Sequence, residues 1–178
     1  MNVLLHSCCG PCASACVPRL KEEGHTVTMF YSNSNIDTRA EFEKRLAAAR
    51  TLAAAEGVTL VADDYDHAAW LRAVADGYEN EPEKGRRCER CYRYNLARTA
   101  SYAAAHGFEA FTTSLTVSPH KPSAKIFASS EDPKFLREDF KKREGFKLSV
   151  RRAGELGLYR QSYCGCEFSK RTSREEPI

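Results

Sequence analysis

The sequence predicts an α/β domain with three layers and a mainly parallel sheet, of the Rossmann-like or HUP-like type. Short apolar runs alternate with amphipathic helical patterns along the chain, as is typical of parallel sheets that helices cover on both faces. Polar segments follow the apolar runs, and right-handed crossovers place such segments together at one edge of the sheet. We therefore expect a single α/β domain over residues 1–168, followed by a flexible tail over residues 169–178.

The strands and helices can be assigned in order from hydrophobic periodicity and from capping residues. Strands are predicted at residues 2–5, 26–31, 58–61 and 108–115. Helices are predicted at residues 12–23, 38–57, 66–74, 89–106 and 149–156, with a partly helical stretch between residues 123 and 146. Thr38 and Glu41 have the spacing of a capping box, and Asp66 is expected to cap the third helix. Pro18 lies inside the first helix and is expected to kink or shorten it.

The composition is that of a soluble globular protein. The chain has 178 residues, of which 42% are hydrophobic and 29% charged, enough for one domain with a proper core. No apolar run has the length of a membrane span, and the N-terminal segment lacks the pattern of a signal peptide. We therefore expect a cytoplasmic protein without a membrane partner.

Seven of the eight cysteines fall into three short motifs. The seven are Cys8, Cys9, Cys12, Cys88, Cys91, Cys164 and Cys166. The first motif lies where the first strand ends and a helix begins, which is the edge at which open α/β sheets bind ligands. In a reducing compartment, such cysteines indicate metal binding or catalysis rather than disulfides. We therefore expect all seven to converge on one metal site at the C-terminal edge of the strands, with Cys16 as a buried structural thiol.

The number of thiols leaves three interpretations open. A structural zinc ion takes at most four of the sulfurs and leaves three without a ligand role. An iron–sulfur cluster takes up to four, and a neighbouring metal can use the remainder. Cys9-Gly10-Pro11-Cys12 also matches the thioredoxin active-site tetrapeptide, so the third interpretation is a redox dithiol. It ranks behind the iron–sulfur cluster because it leaves the other motifs unexplained.

Polar and basic segments are expected to surround the thiols. Tyr31, Asn33 and Asn35 lie at or after the end of the second strand, where they are candidates for substrate binding. His120 and Lys121 lie in a proline-flanked turn after the fourth strand, where His120 is a candidate for proton delivery and Lys121 for substrate binding. The net charge is only +3, but basic residues occur in clusters, which favours a polyanionic partner. One such cluster is Lys141, Lys142 and Arg143.

Seven segments of the sequence together carry a resemblance to a known enzyme family. They are Leu4-Leu5-His6-Ser7-Cys8-Cys9-Gly10-Pro11-Cys12, Asn33-Ser34-Asn35-Ile36, Arg87-Cys88-Glu89-Arg90-Cys91, Phe111-Thr112-Thr113-Ser114-Leu115, Ser118-Pro119-His120-Lys121, Asp139-Phe140-Lys141-Lys142 and Leu158-Tyr159-Arg160-Gln161-Ser162-Tyr163-Cys164-Gly165-Cys166. On these segments the chain, from residue 4 to about residue 171, is similar to the QueH-type epoxyqueuosine reductases.

The resemblance implies the last step of queuosine synthesis, the reductive removal of the epoxide oxygen of epoxyqueuosine in a tRNA anticodon. It implies a 4Fe-4S cluster with an adjacent mononuclear iron, no cobalamin, metals on the cysteines of the three motifs, and an external electron donor. His120 or Tyr163 would protonate the departing oxygen, and Tyr31 or Tyr92 would stack on the flipped base. The basic clusters would hold tRNA phosphates. A thioredoxin-like oxidoreductase and a structural zinc-binding tRNA-binding module remain the alternatives.

Overall fold

The computed structural model describes residues 1–170 and contains one sheet of four parallel strands. The strands are β1 (Asn2–His6), β2 (Thr26–Tyr31), β3 (Thr59–Ala62) and β4 (Ala110–Thr113). Their order across the sheet is β3-β2-β1-β4, and Leu4 of β1 pairs with Thr28 of β2 and with Phe111 of β4. The predicted parallel α/β sheet is therefore confirmed, whereas the Rossmann-like or HUP-like assignment stays a prediction.

Helices cover both faces of this sheet. They are α1 (Gly10–Glu22), α2 (Arg39–Glu56), α3 (His67–Trp70), α4 (Arg86–Ala105), α5 (Ser123–Phe127) and α6 (Gly145–Glu155). Leu5 and Met29 pack with α1, α2 and α6, whereas Leu4 and Phe30 pack with α4. These two sets lie on opposite faces, because neighbouring residues of a strand point in opposite directions. Among the described residues, no helix is both long and apolar enough to span a lipid bilayer.

Some element boundaries differ from the predicted ones. The fourth strand is shorter than predicted, because Ser114–Val117 form a 3-10 helix directly after β4. The last helix begins at Gly145 and not at residue 149. Helix α1 continues through Pro18 to Glu22, so the proline does not shorten it.

The predicted helix caps are largely present. The Thr38 side chain accepts a hydrogen bond from the Glu41 N–H at 3.2 Å, and Asp66 Oδ1 accepts from the Ala69 N–H at 2.9 Å. Each bond satisfies one of the backbone donors that a helix N-terminus leaves free. The Glu41 carboxylate accepts from Arg45 at 2.9 Å, so the capping box at α2 is only half formed.

The chain is packed against the domain as far as residue 170. Ser169 is buried, and Glu167 Oε2 lies 3.1 Å from His67 Nε2. Lys170 Nζ lies 2.8 Å from the Asp37 carboxylate. Of the predicted flexible tail, residues 171–178 lie outside the part of the chain that the structure describes.

Gly145 lies at the start of α6, where the backbone leaves no room for a side chain. A Cβ built at this position would overlap the carbonyl oxygen of Phe140. We expect Gly145→Ala to lower the free energy of unfolding by about 1–3 kcal/mol, because the backbone must shift to relieve the overlap. The measurement is urea unfolding followed by circular dichroism.

Gly154 in the same helix provides the matched control for this prediction. A Cβ there would meet no atom within 4 Å, so Gly154→Ala adds a better helix former without a clash. We expect it to be neutral or to stabilise by up to about 1 kcal/mol. Equal effects of the two substitutions would contradict the packing argument.

Candidate metal centre

A group of three thiols lies directly after β1. Ser7 donates its backbone N–H to the Phe30 carbonyl at 2.8 Å, which continues the strand pairing. Cys9 then caps the N-terminus of α1, where its Sγ accepts from the Cys12 N–H at 3.3 Å. The Sγ atoms of Cys8, Cys9 and Cys12 all lie within 4.8 Å of one another. This three-thiol group is compact enough to hold a metal ion.

Hydrogen bonds within the three-thiol group favour a thiolate at Cys9. Donation from the Cys12 and Cys8 thiols holds the pKa of Cys9 well below its usual value, and hydrogen bonds with Cys8 and Cys9 raise the pKa of Cys12. The positive end of the α1 dipole also favours a thiolate at this position. A thiolate is the form that binds soft metals and attacks disulfides. Cys16 is fully buried and donates to the Cys12 carbonyl at 3.4 Å, as the prediction of a structural thiol requires.

The remaining four thiols line a pocket between the start of α4 and the loop of residues 161–166. Cys88 and Cys91 project from the first turns of α4, and Cys164 and Cys166 line the pocket from the loop. Burial raises the pKa of Cys88 to about 11, and it also raises the pKa of Cys91 and that of Cys166. Metal binding to this four-thiol pocket must therefore displace protons.

The four sulfurs of this pocket are spread more widely than those of the three-thiol group. Among the described residues, only Cys8, Cys9 and Cys12 form a set of three or more ligands whose atoms all lie within 4.8 Å of one another. Around one zinc ion, tetrahedral Zn–S bonds of about 2.3 Å place the sulfurs about 3.8 Å apart. A cluster distributes its thiolates over several irons, so its ligands lie farther apart. The four pocket sulfurs are therefore not preset at the spacing of a tetrathiolate zinc site.

Lys121 lines the four-thiol pocket and lies near the sulfurs of both sets of thiols. Burial alone would lower the pKa of Lys121, but attraction to the sulfur of Cys164 and to that of Cys8 outweighs burial and raises the pKa. The Gln161 side chain, from the loop that carries Cys164 and Cys166, helps to lower the pKa of Cys9. The seven cysteines therefore form two neighbouring groups, and not the single metal-sized site that the motifs predict.

The loop that carries Lys121 is held from behind by Lys141. The Lys141 ammonium donates to three backbone carbonyl oxygens between residues 116 and 121, at distances of 2.8 to 3.3 Å. The structure thus gives Lys141 a structural role in place of the predicted contact with substrate. Lys142 and Arg143 are exposed, and Arg143 lies 3.5 Å from an acidic side chain at the end of α1.

The predicted proton donor His120 and the predicted substrate residues Asn35 and Lys121 line the four-thiol pocket. His120 is exposed to solvent, whereas Asn35 is buried and its Oδ1 accepts from the Asn95 side chain at 3.3 Å. Tyr92 also lines the pocket, but only 5% of it is accessible to solvent. The prediction of an exposed ring is therefore wrong for Tyr92, although the residue lies at the site.

Tyr31 and Asn33 lie inside the protein and not on the surface of the site. Tyr31 is fully buried, and its hydroxyl donates to the Phe42 carbonyl at 2.9 Å. The predicted exposed ring, available to stack on a base, is wrong because Tyr31 points to the face of the sheet that α1 and α2 cover. Asn33 is also buried, and its amide donates to the Ser7 carbonyl at 2.9 Å. Asn33 therefore supports the segment that leads to the three-thiol group, whereas Tyr31 ties β2 to α2.

The Tyr163 hydroxyl also has a structural partner. It donates to Asp37 Oδ1 at 2.7 Å, which ties the loop of residues 161–166 to the segment before α2. Burial, together with the Asp37 carboxylate, raises the pKa of Tyr163. The structure therefore gives Tyr163 a role in holding the loop, and its role as proton donor stays a prediction.

Three side chains at the site were not identified from the sequence. Trp70, the only tryptophan of the chain, is buried and lines the four-thiol pocket. Arg87 is buried beside the pocket and donates to backbone carbonyls of the preceding loop, and Arg45 donates to the loop of residues 161–166. One signal for Arg45 was available, since it interrupts the apolar stripe of α2 between Phe42 and Ala49, at helical spacing from both.

Comparisons with known proteins agree on one family. The family model described as epoxyqueuosine reductase QueH matches residues 3–172. An epoxyqueuosine reductase QueH from Streptococcus pyogenes serotype M1 is 34% identical over 94% of this chain and 70% of its own length. Those from Dehalococcoides mccartyi and Thermotoga maritima are also 34% identical, over 95% and 98% of this chain and 92% and 93% of their own lengths. The chain therefore belongs to the epoxyqueuosine reductase QueH family.

Proposed function

We propose that this protein is an epoxyqueuosine reductase, which converts epoxyqueuosine in a tRNA anticodon to queuosine. The observation that carries the proposal is the four-thiol pocket beside the three-thiol group, with Lys121 near both, in a chain of the QueH family. Conversion of an epoxide to an alkene takes two electrons and two protons and releases the oxygen as water. The site must therefore supply electrons and protons at the same place.

The two sets of thiols would hold different metals. Cys88, Cys91, Cys164 and Cys166 would hold a 4Fe-4S cluster, because their wide spacing suits ligands shared among several irons. The three-thiol group would hold a mononuclear iron, with fewer protein ligands than the four of a closed structural site. When bound, these metals supply single electrons and a Lewis acid for the epoxide oxygen.

The side chains of the pocket would bind the substrate and provide protons. Lys121 Nζ places a positive charge where negative charge develops on the departing oxygen. His120, on the exposed side of the pocket, is placed to deliver a proton to that oxygen. Trp70 and Tyr92 are almost fully buried against the pocket, where their rings would exclude water from the thiols.

The tRNA and an external electron donor would be the partners. Lys142 and Arg143 are exposed and remain the predicted contacts to tRNA phosphates. Each turnover consumes two electrons, so a donor outside this chain must reduce the site again. The cytoplasmic location stays a prediction that agrees with a tRNA substrate.

A thiol–disulfide oxidoreductase is the second candidate. The lowered pKa of Cys9 and the proximity of its sulfur to that of Cys12 favour a reactive dithiol. This candidate gives no role to the four-thiol pocket. A zinc-binding tRNA-binding module is less well supported, because the sulfurs of that pocket are not preset at the spacing of one zinc ion.

The experiment that tests the proposed function is anaerobic purification followed by a single assay. We expect a brown protein that contains several irons and acid-labile sulfide. With dithionite and tRNA carrying epoxyqueuosine, nucleoside mass spectrometry should show a product one oxygen atom lighter. A colourless protein with a single zinc ion and no product would contradict the proposal.

A further inference from the structure

Arg45 of α2 is a buried arginine whose guanidinium contacts the loop that carries Cys164 and Cys166. Only 2% of its side chain is exposed. Nη1 donates to the Cys164 carbonyl at 2.8 Å, and Nη2 donates to the Tyr163 carbonyl at 3.1 Å. Nε donates to Glu41 at 2.9 Å, so the buried charge has a carboxylate partner. Each of the three guanidinium nitrogens therefore donates a hydrogen bond.

We propose that Arg45 is a positioning residue that holds Cys164 and Cys166 in place for ligation before any metal binds. Residues 161–166 belong to no helix or strand, so no regular backbone pairing fixes their path. A planar guanidinium that donates to two successive carbonyls fixes the orientation of the peptide unit between them. The contribution of this arrangement to catalysis rests on the proposed function, whereas the positioning itself does not.

The loop passes Arg45 closely at Gly165. The φ angle of Gly165 is +145°, in the region that favours glycine. A Cβ at this residue would lie 3.3 Å from Arg45 Nη1 and 3.0 Å from Asn35 Nδ2. On the other side, the Asp37 N–H donates to the Gly165 carbonyl at 2.9 Å. Arg45 thus packs directly against Gly165, and this close contact restricts the backbone that carries Cys164 and Cys166.

Two sets of substitutions test the role of Arg45. Arg45→Lys keeps a positive charge beside Glu41, but one ammonium cannot reproduce the planar fork to both carbonyls. The double variant Glu41→Gln with Arg45→Met removes both charges, so neither is left buried without a partner. Arg19→Met is the matched control, because Arg19 also donates to a distant backbone carbonyl, that of Asp139 at 3.3 Å.

The measurement is the rate of thiol alkylation in reduced, metal-free protein under native conditions. Cleavage after lysine then separates the three motifs, because residues 1–21, 85–125 and 148–170 each carry one of them. We expect the thiols of fragment 148–170 to react roughly tenfold faster in both Arg45 variants, since hydrogen bonds from a charged donor are lost. The other two fragments should change much less.

The outcomes separate positioning from general destabilisation. Parent-like rates in fragment 148–170 would overturn the proposal, and so would equal acceleration in all three fragments. Arg19→Met should leave fragment 148–170 at the parent rate. Neither metal nor tRNA is present, so the result does not depend on whether the protein reduces epoxyqueuosine, which the nucleoside assay tests separately.

Discussion

We expect Cys88→Ser and Cys164→Ser each to lower cluster content and conversion of epoxyqueuosine by about 100-fold or more. Serine is nearly isosteric with cysteine but is a much poorer ligand for iron in a soft sulfur site. Loss of residues that merely orient a metal ligand costs about 10- to 100-fold, so loss of a ligand should cost at least as much. Iron and sulfide analysis and nucleoside mass spectrometry measure the two effects.

Cys16→Ser is the matched control for these variants. Cys16 is buried outside both sets of thiols, and the same substitution there should leave iron content and activity close to those of the parent.

Trp70 gives a further readout, because it is the only tryptophan and lines the pocket, so a bound cluster should quench its fluorescence. If both variants kept iron and activity while Cys9→Ser was inactive, the four-thiol pocket would not hold the required metal, and a reaction that depends on the dithiol of Cys9 and Cys12 would be favoured.

We expect Lys121→Met to lower kcat by about 100- to 1,000-fold. This is the usual effect of removing one preorganised group that stabilises developing charge. Lys121 lines the four-thiol pocket, and methionine keeps most of its length and apolar stem without the charge. The measurement is kcat for multiple-turnover conversion of tRNA with dithionite as reductant, normalised to iron content.

The controls for Lys121 separate its charge from its packing. Lys121→Arg keeps the charge and should recover part of the lost rate. Lys147→Met removes an exposed lysine whose partner is Glu144, and it should behave as the parent does. A Lys121→Met variant with parental kcat and parental iron content would show that the charge has no catalytic role.

The parallel sheet was predictable because its signals are local. Leu4 and Leu5 mark a strand buried on both faces, and the Gly57 that ends α2 has a φ of +64°, as its position after the helix requires. The alternation of side-chain directions along β2 also predicts the burial of Tyr31. This residue shares a face with Val27 and Met29, both of which pack in the core, so its burial follows from strand periodicity.

The arrangement of the site was only partly predictable. The motifs identified all seven thiols, but their division into two groups depends on distances between segments far apart in the sequence, which local spacing does not encode. Lys141 illustrates the same limit. Its position in a basic cluster favours a surface role, yet the conformation of the loop before Lys121 turns three carbonyls toward its ammonium. The need for a cation beside these carbonyls is apparent only from the folded conformation of the loop.

The division of the ligands between the two ends of the chain affects when the site can form during translation. The last strand of the sheet ends at Thr113, and nascent domains begin to fold while synthesis proceeds at about 5–20 residues per second. The ribosome therefore releases a complete sheet and three-thiol group before it has made Cys164 and Cys166. A product that terminated before Cys164 would retain only half of the pocket thiols. Metal binding to the four-thiol pocket would thus distinguish chains translated past this point from shorter ones.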